Sequence, residues 1–375
     1  MKIVADTNLY GVRSTFEQIG ELVLVPGREL NKSHLKDADA LLVRSITRVD
    51  ADLLEASSIK FVGTVTSGVD HIDNTYLENK GIAFADARGS NANAVVDYCF
   101  TALAYCIKMK SLVLEDCKVG IVGGGHIGGL FAKKLRRLNV EVLICDPPLQ
   151  DSVTEPALEK YCPIEAIMQC DVVSLHVPLT KDNEHATYGL LNFERLSTLP
   201  QSALLINTCR GSVVEENALL ELLNQRSDLT CIVDVWENEP VTNSALVQRV
   251  DIATPHIAGY SMEAKRIAMV HLFEQIQKEF SLPVQSQTIC EKDKEVKITG
   301  NLEEDPWAIV LGLLPLCSLS EKFKKSHEHE NVADAFDQLR RNMLARREFN
   351  KIMLPGAHLT EVQRAVLQVL GVRFY

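Results

Sequence analysis

Short apolar runs alternate with helix-like stretches along the first ninety residues. Each run is rich in Val, Ile, Leu, Phe or Ala and ends near a polar or turn-forming residue, as strands do. These predicted strands occupy residues 2–6, 22–25, 40–43, 60–65 and 82–86. Residues 10–19 are predicted as a helix between the first two strands. Strands that alternate with helices favour a parallel, doubly wound sheet.

The same alternation resumes after a long helical stretch with an apolar face at residues 92–108. A second set of strands is predicted at residues 118–122, 140–145, 171–177, 203–208, 229–235 and 251–255. Residues 261–280 then form one amphipathic helix, with Ser261 as its N-cap. If that helix packs on the first sheet, one domain combines residues 1–94 with 258–282. Residues 95–257 are then a second α/β domain inserted into it, and the substrate is expected in the cleft between them.

The character of the chain changes after Pro283. Residues 284–306 are polar and typical of a linker or a β-hairpin, and helical material follows, ending in a predicted helix at 359–370. A tail of this length is too long for a linker. We therefore expect a third, small domain over residues 283–375.

Composition narrows the class of protein. The chain has 375 residues, 46% of them hydrophobic, and a net charge of −11, which disfavours non-specific nucleic-acid binding. Its ten cysteines include no Cys-x-x-Cys pair, so we expect free thiols in a reduced compartment and no metal site. The N-terminus does not resemble a signal peptide and no apolar run has membrane-spanning length, so a cytoplasmic protein without membrane contact is expected.

Residues 118–128, KVGIVGGGHIG, join a predicted strand to a predicted helix through a glycine-rich turn. Gly123 permits a tight turn, Gly125 leaves room for a pyrophosphate, and Gly128 allows the helix to pack closely on the strand. Asp146 follows the next strand, where it would accept hydrogen bonds from an adenosine ribose and repel a 2′-phosphate. The pattern predicts an NAD site. A glycine-rich loop without a ligand is the alternative.

Three further residues follow predicted strands of the second α/β domain. Arg210 comes after residues 203–208, and its forked guanidinium suits a carboxylate. Glu239 and His256 lie in neighbouring strand-end loops, where the carboxylate could fix the imidazole tautomer for acid–base work. The alternatives are a surface arginine and a merely structural histidine.

These motifs together resemble the D-isomer-specific 2-hydroxyacid dehydrogenases. The resemblance covers roughly residues 1–280 and lies in the glycine turn with its aspartate and in NTCRG (207–211), DVWENEP (234–240) and TPHIAGY (254–260). It implies two Rossmann-like domains, NAD as the cofactor, and Arg210, Glu239 and His256 as the catalytic residues.

Other segments resemble one branch of that family, whose reaction is the oxidation of 4-phospho-D-erythronate in pyridoxal 5′-phosphate biosynthesis. They are residues 41–50, 62–73, 145–148, 256–260 and the tail at 336–349. The resemblance implies NAD-dependent hydride transfer that yields 2-oxo-3-hydroxy-4-phosphobutanoate. It also implies a homodimer formed through the C-terminal domain, which would be an α+β fold.

The resemblance further assigns roles to single residues. Substrate contacts are expected from Ser45, Thr66 and Tyr260. The cofactor site is expected to include Gly123, Gly125, His126, Ile127, Gly128, Asp146, Ser174, Thr208, Cys209, Asp234 and Gly259. For His126, at a variable position of the fingerprint, a solvated histidine at the helix start is the equal alternative.

The 4-phosphate requires cations of its own. Arg44 flanks Ser45 and is predicted as the phosphate contact, ahead of Arg48 and Arg88. Arg346 or Arg347 from a partner's tail is a second possibility, and solvated surface arginines are the alternative.

Three rival functions remain open. One is a dehydrogenase of the same family that acts on another acid such as 3-phosphoglycerate. Another is a non-catalytic NAD(H)-sensing protein, and the third is a structural oligomerisation protein.

Overall fold

The computed structural model describes residues 1–152, 161–181, 183–283, 296–297, 305–328, 331–357 and 359–375. The chain divides into two compact units. Residues 1–91 and 262–294 form unit 1, and residues 92–261 and 295–375 form unit 2. Unit 1 is therefore discontinuous in sequence. The predicted three-domain boundaries and the separate domain at 283–375 stay predictions.

The described residues form the following elements. The strands are β1 (Lys2–Asp6), β2 (Glu21–Val25), β3 (Ala40–Val43), β4 (Phe61–Thr64), β5 (Ala83–Ala85), β6 (Lys118–Val122), β7 (Glu141–Cys145), β8 (Val172–Leu175), β9 (Leu204–Asn207), β10 (Thr230–Val233), β11 (Ile252–Ala253), β12 (Val296–Lys297), β13 (Ile352–Leu354) and β14 (Arg373–Phe374). The α-helices are α1 (Val12–Phe16), α2 (Ala51–Leu54), α3 (Asn74–Lys80), α4 (Ala92–Met109), α5 (His126–Arg137), α6 (Pro147–Ser152), α7 (Ile164–Ile167), α8 (Phe193–Ser197), α9 (Glu216–Gln225), α10 (Ser244–Arg249), α11 (Met262–Glu279), α12 (Pro306–Leu313), α13 (Leu316–Ser326), α14 (Val332–Asn342) and α15 (Glu361–Leu370). Short 3₁₀ turns lie at Lys32–His34, Leu114–Asp116, Gly211–Val213, Met343–Ala345 and Phe349–Lys351.

Unit 1 contains a five-stranded parallel sheet in the order β2-β1-β3-β4-β5. Helix α11 returns to this sheet from far along the chain, and its Phe273 packs on Phe16 of α1 with ring centroids 5.8 Å apart. Gly63 of β4 leaves no room for a Cβ, because Leu42 and Leu272 fill that space. The central strands β1, β3 and β4 are almost fully buried, as expected for a parallel sheet covered on both faces.

Unit 2 contains a six-stranded parallel sheet in the order β7-β6-β8-β9-β10-β11. The order reverses at β6, whose neighbours β7 and β8 follow it on opposite sides. Loops diverge at such a switch point, and ligands bind there in open α/β sheets. Helices α4 and α5 pack together through an edge-on contact of Phe100 with Phe131, 5.1 Å between centroids.

The C-terminal residues share the core of unit 2. Helices α12 and α15 contribute Val310, Leu367 and Leu370 to the same buried cluster as α4 and β6. Strands β12, β13 and β14 form a separate small sheet with parallel pairing. The C-terminal residues of this cluster are therefore packed in the same core as α4, the first helix of the unit.

Most predicted strands agree with the structure to within one or two residues, and α4 and α5 begin where the pattern places them. The helix predicted at 10–19 was too long, because only Val12–Phe16 is helical. The polar segment 284–306 lies almost wholly outside the described residues. Ser261 precedes α11 as predicted, and its hydroxyl donates to Oε1 of the buried Glu348 at 2.8 Å, whereas its capping role stays a prediction.

No helix in the described parts of the chain combines the length and the apolar character needed to cross a membrane.

Candidate active site

Arg210, Glu239 and His256 all belong to unit 2 and follow three adjacent strands. The strands β9, β10 and β11 are neighbours and parallel, so their carboxyl ends lie at one edge of the sheet. The structure therefore brings the loops that carry these three residues to the same edge.

His256 and Glu239 are in direct hydrogen-bond contact. Nδ1 of His256 lies 2.7 Å from Oε2 of Glu239, and Oε1 of Glu239 accepts the backbone N–H of Trp236 at 2.9 Å. Burial raises the pKa of Glu239, but the charge of His256, the hydrogen bond between them and the Trp236 N–H outweigh it, so the pKa is lowered. Glu239 is therefore an anion that occupies Nδ1 and leaves Nε2 of the imidazole for chemistry.

The buried carboxylate of Asp234 fixes the loop that carries His256. Its oxygens accept the backbone N–H groups of Ile257 and Ala258, both at 2.8 Å, and the hydroxyl of Thr254 at 2.6 Å. The backbone N–H of His256 donates to the Asp234 carbonyl at 2.7 Å. These contacts hold His256 at a φ of 53°, a left-handed conformation that few non-glycine residues adopt. Burial raises the pKa of Asp234 to about 6.

The loop that carries Arg210 approaches the loop that carries Glu239 closely, main chain against main chain. A Cβ on Gly211 would overlap the peptide that joins Trp236 to Glu237, so only glycine permits this contact. Arg210 itself is extended, and its Nη1 donates to the Cys209 carbonyl at 2.6 Å. The loop bearing Arg210 is thereby fastened to the loop bearing Glu239.

Sequence reasoning missed the positioning role of Arg346, which it considered as a phosphate contact. Its guanidinium donates to the carbonyls of Ile257 at 3.0 Å, Ala258 at 2.9 Å and Ala94 at 2.6 Å. It thus supports the His256 loop of its own chain through the carbonyls of residues whose N–H groups Asp234 accepts. Nothing in the local sequence pattern signals these contacts, since they join positions far apart in the chain.

The turn between β6 and α5 fits a pyrophosphate. Gly123 has a φ of 95°, and a Cβ there would lie 2.6 Å from the His176 carbonyl oxygen. Gly125 precedes α5 and has no other atom within 4 Å of its Cβ position, whereas a Cβ on Gly128 would overlap the Gly123 carbonyl. The three glycines therefore meet the three separate requirements of a phosphate-binding turn.

Asp146 lies directly after β7, and its carboxylate links the glycine turn to the residues that follow β7. Its Oδ2 accepts the backbone N–H of Gly124 at 2.7 Å, and its Oδ1 accepts that of Leu149 at 3.0 Å. Each oxygen retains capacity for a further donor. The carboxylate thus lies beside the glycine turn, where a ribose would follow the pyrophosphate.

Polar atoms without partners lie at the neighbouring strand ends. Within the described residues, Nδ1 of His176 and Oγ1 of Thr208 are shielded from solvent and make no hydrogen bond. Ser174 contacts Nε2 of His176 at 2.9 Å, and burial lowers the pKa of His176 to about 3, so that ring is neutral. Unsatisfied buried polar atoms fit a site that a polar ligand completes. His176 was missed from the sequence, although it follows β8 as Arg210 follows β9.

The other predicted cofactor residues are neighbours in sequence of the site residues described above. Cys209 is buried, which raises its pKa to about 11 and keeps it a thiol. His126 is exposed on the first turn of α5, and Ile127 beside it is half-buried. Gly259 follows the Asp234-bound residues of the His256 loop. Their contacts with a cofactor stay predictions.

The predicted substrate residues of unit 1 gather at the carboxyl end of its sheet. Arg44 and Ser45 follow β3, and Thr66 follows the adjacent strand β4. Ser45 is exposed, whereas Thr66 donates to the Gly68 carbonyl at 2.7 Å. All three belong to one edge of one sheet.

The candidate phosphate-binding arginines of unit 1 already have carboxylate partners. Arg44 contacts both oxygens of the buried Asp6, at 2.7 and 3.3 Å. Arg48 contacts Asp50 at 2.7 Å, and Arg88 contacts Asp86 at 2.6 Å. A phosphate would have to share these cations with carboxylates.

Comparison with known proteins agrees with this geometry. Residues 105–258 match the NAD binding domain of the D-isomer specific 2-hydroxyacid dehydrogenases. Erythronate-4-phosphate dehydrogenase of Marinobacter nauticus is 41% identical over 371 residues, 95% of this chain and 96% of that protein. The protein of the same name from Proteus mirabilis is 46% identical over 73% of this chain and 72% of its own. An NAD⁺-bound 3-phosphoglycerate dehydrogenase from Entamoeba histolytica has a similar structure, with a TM-score of 0.63 and 26% identity, covering 77% of this chain and 99% of that one.

Proposed function

Because the chain belongs to the D-isomer-specific 2-hydroxyacid dehydrogenase family, we propose that it oxidises 4-phospho-D-erythronate to 2-oxo-3-hydroxy-4-phosphobutanoate with NAD, in pyridoxal 5′-phosphate biosynthesis. Near-complete coverage of a relative that carries this activity in its name supports the choice of substrate. The structural observation that carries the proposal is the 2.7 Å contact of His256 with Glu239 in the unit that holds the glycine turn.

The chemistry requires a proton acceptor for the C2 hydroxyl of the substrate. Nε2 of His256 takes that proton, and bound NAD would supply the hydride acceptor for C2. The Glu239 carboxylate stabilises the imidazolium that results, through the Nδ1 contact already in place. In the reverse direction the imidazolium returns the proton to the oxygen.

Arg210 and the glycine turn bind the two anionic partners of the reaction. The guanidinium of Arg210 holds the C1 carboxylate and polarises the oxygen at C2 as the carbonyl develops. The turn at Gly123–Gly128 would donate N–H groups to the pyrophosphate of NAD, and Asp146 would accept from its adenosine ribose. The charge of Asp146 would repel a 2′-phosphate, which favours NAD over NADP.

Further properties stay predictions at this point. They are substrate contacts of Ser45, Thr66 and Tyr260, a homodimer formed through residues 283–375, and a cytoplasmic location. The nine described cysteines are free thiols, which supports a reduced compartment.

The proposal is tested by adding 4-phospho-D-erythronate to the NAD-loaded protein and following NADH fluorescence. We expect reduction of the bound cofactor by wild type, and a loss of about 100-fold or more in rate for His256→Asn, because the proton acceptor is removed. His34→Asn, on a surface turn of unit 1, is the matched control and should behave as wild type.

Two outcomes would replace the proposal. Faster turnover of 3-phosphoglycerate would assign the protein to another reaction of the same family. NADH binding without turnover of either acid would favour a sensor over an enzyme.

A further inference from the structure

Arg340 of α14 reaches the residues around His256 and Glu239 from the C-terminal part of unit 2. Its guanidinium carbon lies 4.8 Å from the ring centroid of Tyr260 and 5.6 Å from that of Phe336. Tyr260 ends the loop that begins at His256, and its N–H donates to the Ile257 carbonyl at 2.9 Å. The two rings therefore hold a cation at the end of the catalytic loop.

The polar edge of this guanidinium is incompletely satisfied. Nε of Arg340 is shielded from solvent and has no hydrogen-bond partner within the described residues. Among the described residues, no carboxylate forms an ion pair with the Arg340 guanidinium. A buried, unpaired donor on a charged group is costly, so an arginine held this way is suited to an incoming anion.

Arg340 also acts on the catalytic pair through its charge. The positive charge of Arg340 is one of the influences that lower the pKa of Glu239, after burial and the contacts with His256 and Trp236. Arg340 is therefore within electrostatic range of the catalytic carboxylate while making no direct contact with it.

Other arginines considered for the phosphate are less available. Arg44 is paired with Asp6, and Arg346 donates to three main-chain carbonyls. Arg210 is assigned to the C1 carboxylate, so a second cation is required for a substrate that is anionic at both ends. Arg340 meets that need from a different element of the same unit.

We infer that Arg340 binds the phosphate group of the substrate, an inference that rests on the proposed function. The cation–π contacts with Tyr260 and Phe336 hold the guanidinium in place, and its unpartnered Nε–H is one donor that an anion could use. A phosphate can accept two parallel N–H groups from a guanidinium, which a single ammonium cannot supply in the same geometry. Arg340 thus selects phosphorylated over unphosphorylated hydroxy acids.

The test compares wild type, Arg340→Gln, Arg340→Lys and Arg341→Gln with 4-phospho-D-erythronate and with D-erythronate. Arg341 is the neighbouring, exposed arginine of α14 and is the matched control. For Arg340→Gln we expect KM for the phosphorylated acid to rise about 10- to 100-fold, the value of a charged hydrogen bond. The rate constant kcat/KM for D-erythronate should change by less than about threefold.

The conservative variant Arg340→Lys and the control Arg341→Gln provide the remaining readouts. Arg340→Lys should lie between wild type and Arg340→Gln, because it keeps the charge and loses the fork. Arg341→Gln should match wild type with both acids. Equal losses of kcat/KM with both acids in Arg340→Gln would show that Arg340 only positions Tyr260 or Glu239, and would overturn the inference, as would an unchanged preference for the phosphorylated acid.

A binding measurement separates this inference from the proposed function. Inorganic phosphate is titrated into each NADH-loaded protein and followed by phosphorus NMR. If wild type binds phosphate and Arg340→Gln does not, the inference stands even when 4-phospho-D-erythronate is not oxidised. If wild type and Arg340→Gln bind phosphate equally, or neither binds it, the inference fails whatever the turnover.

Discussion

At the scale of single residues, each oxygen of Glu239 has a separate task. Oε1 is fixed by the backbone N–H of Trp236, and this leaves Oε2 aligned with Nδ1 of His256. The carboxylate therefore selects the tautomer and also stabilises the positive charge that appears during the reaction. An amide at position 239 could still accept the Trp236 N–H through its oxygen. Its NH₂ group, however, would donate to Nδ1 of His256 instead of accepting from it.

Glu239→Gln should consequently be far less active than its small change in shape suggests. The amide must either donate to Nδ1, which forces the proton of the neutral ring onto Nε2, or lose the contact. We expect kcat to fall about 10²- to 10⁴-fold, as it does when other catalytic histidines lose their carboxylate. Steady-state oxidation of the phosphorylated acid measures this. Glu237→Gln, exposed in the same loop, is the control. Comparable activity in both variants would mean that the Nδ1 contact has no catalytic role.

The pairing of His256 with Glu239 is the part of the site that sequence could anticipate. Both residues follow strands that a parallel sheet places side by side, so a contact between them was predictable. The contacts of Arg340 and Arg346 were not, because they join the C-terminal tail to residues at least eighty positions earlier in the chain. The position of Asp234 beside the cofactor stays a prediction, and the structure adds that its carboxylate holds the backbone after His256.

At the scale of elements, the turn from β6 to α5 contains two glycines with different roles. Packing requires Gly128, whereas the Cβ position of Gly125 faces open space. A Cβ on Gly128 would overlap the Gly123 carbonyl, whereas one on Gly125 would contact nothing nearby. The fold therefore requires glycine at 128, but at 125 the folded protein alone does not. A ligand that approaches the start of α5 is the physical reason for glycine there.

Gly125→Ala should weaken the binding of NADH without lowering the stability of the folded protein. We expect the affinity for NADH to fall about tenfold or more, because the added methyl occupies the space of the pyrophosphate, with little change in the unfolding temperature. Titration of NADH fluorescence and a thermal melt measure the two effects. Gly312→Ala in α12, which also adds a methyl in open space, should leave NADH binding unchanged. Undiminished NADH binding by Gly125→Ala would place the cofactor elsewhere.

Elements differ in how well the sequence predicts them. Runs of four to six apolar residues locate the strands of both large sheets, because burial on two faces requires such runs. The strands β13 and β14 have three and two residues and were not predicted, since runs this short carry no periodic signal. Their existence depends on pairing between residues distant in the chain, at Met353–Arg373 and Leu354–Phe374.

At the scale of the whole molecule, unit 2 contains titratable side chains that connect α4 and α5 to the C-terminal residues. Asp97 of α4 accepts the backbone N–H of Phe349 at 2.8 Å. Lys134 of α5 donates to the Leu370 carbonyl at 2.7 Å. Burial raises the pKa of Asp97 to about 7, although Lys134 and Arg346 oppose it. The free energy of unfolding of this unit must therefore depend on pH.

The direction follows from the protons bound in each state. Folded Asp97 keeps its proton up to about pH 7, whereas the unfolded chain releases it near its ordinary pKa of 3.8. Between these values the folded state binds more protons, so this contribution to stability is full below pH 3.8 and is lost as the pH rises to about 7. A shift of this size corresponds to about 4 kcal/mol at most.

Asp97→Asn should remove this dependence while keeping an acceptor for the Phe349 N–H. We expect the free energy of unfolding of wild type, relative to the variant, to fall by a few kcal/mol (about 4 at most) between about pH 4 and pH 7. Urea denaturation followed by tryptophan fluorescence measures this, because Trp236 and Trp307 both lie in unit 2. Asp116→Asn, at an exposed position of the same unit, should run parallel to wild type. If Asp97→Asn also runs parallel, Asp97 is ionised throughout, and its charge is then stabilised by Lys134 and Arg346 more than burial opposes it.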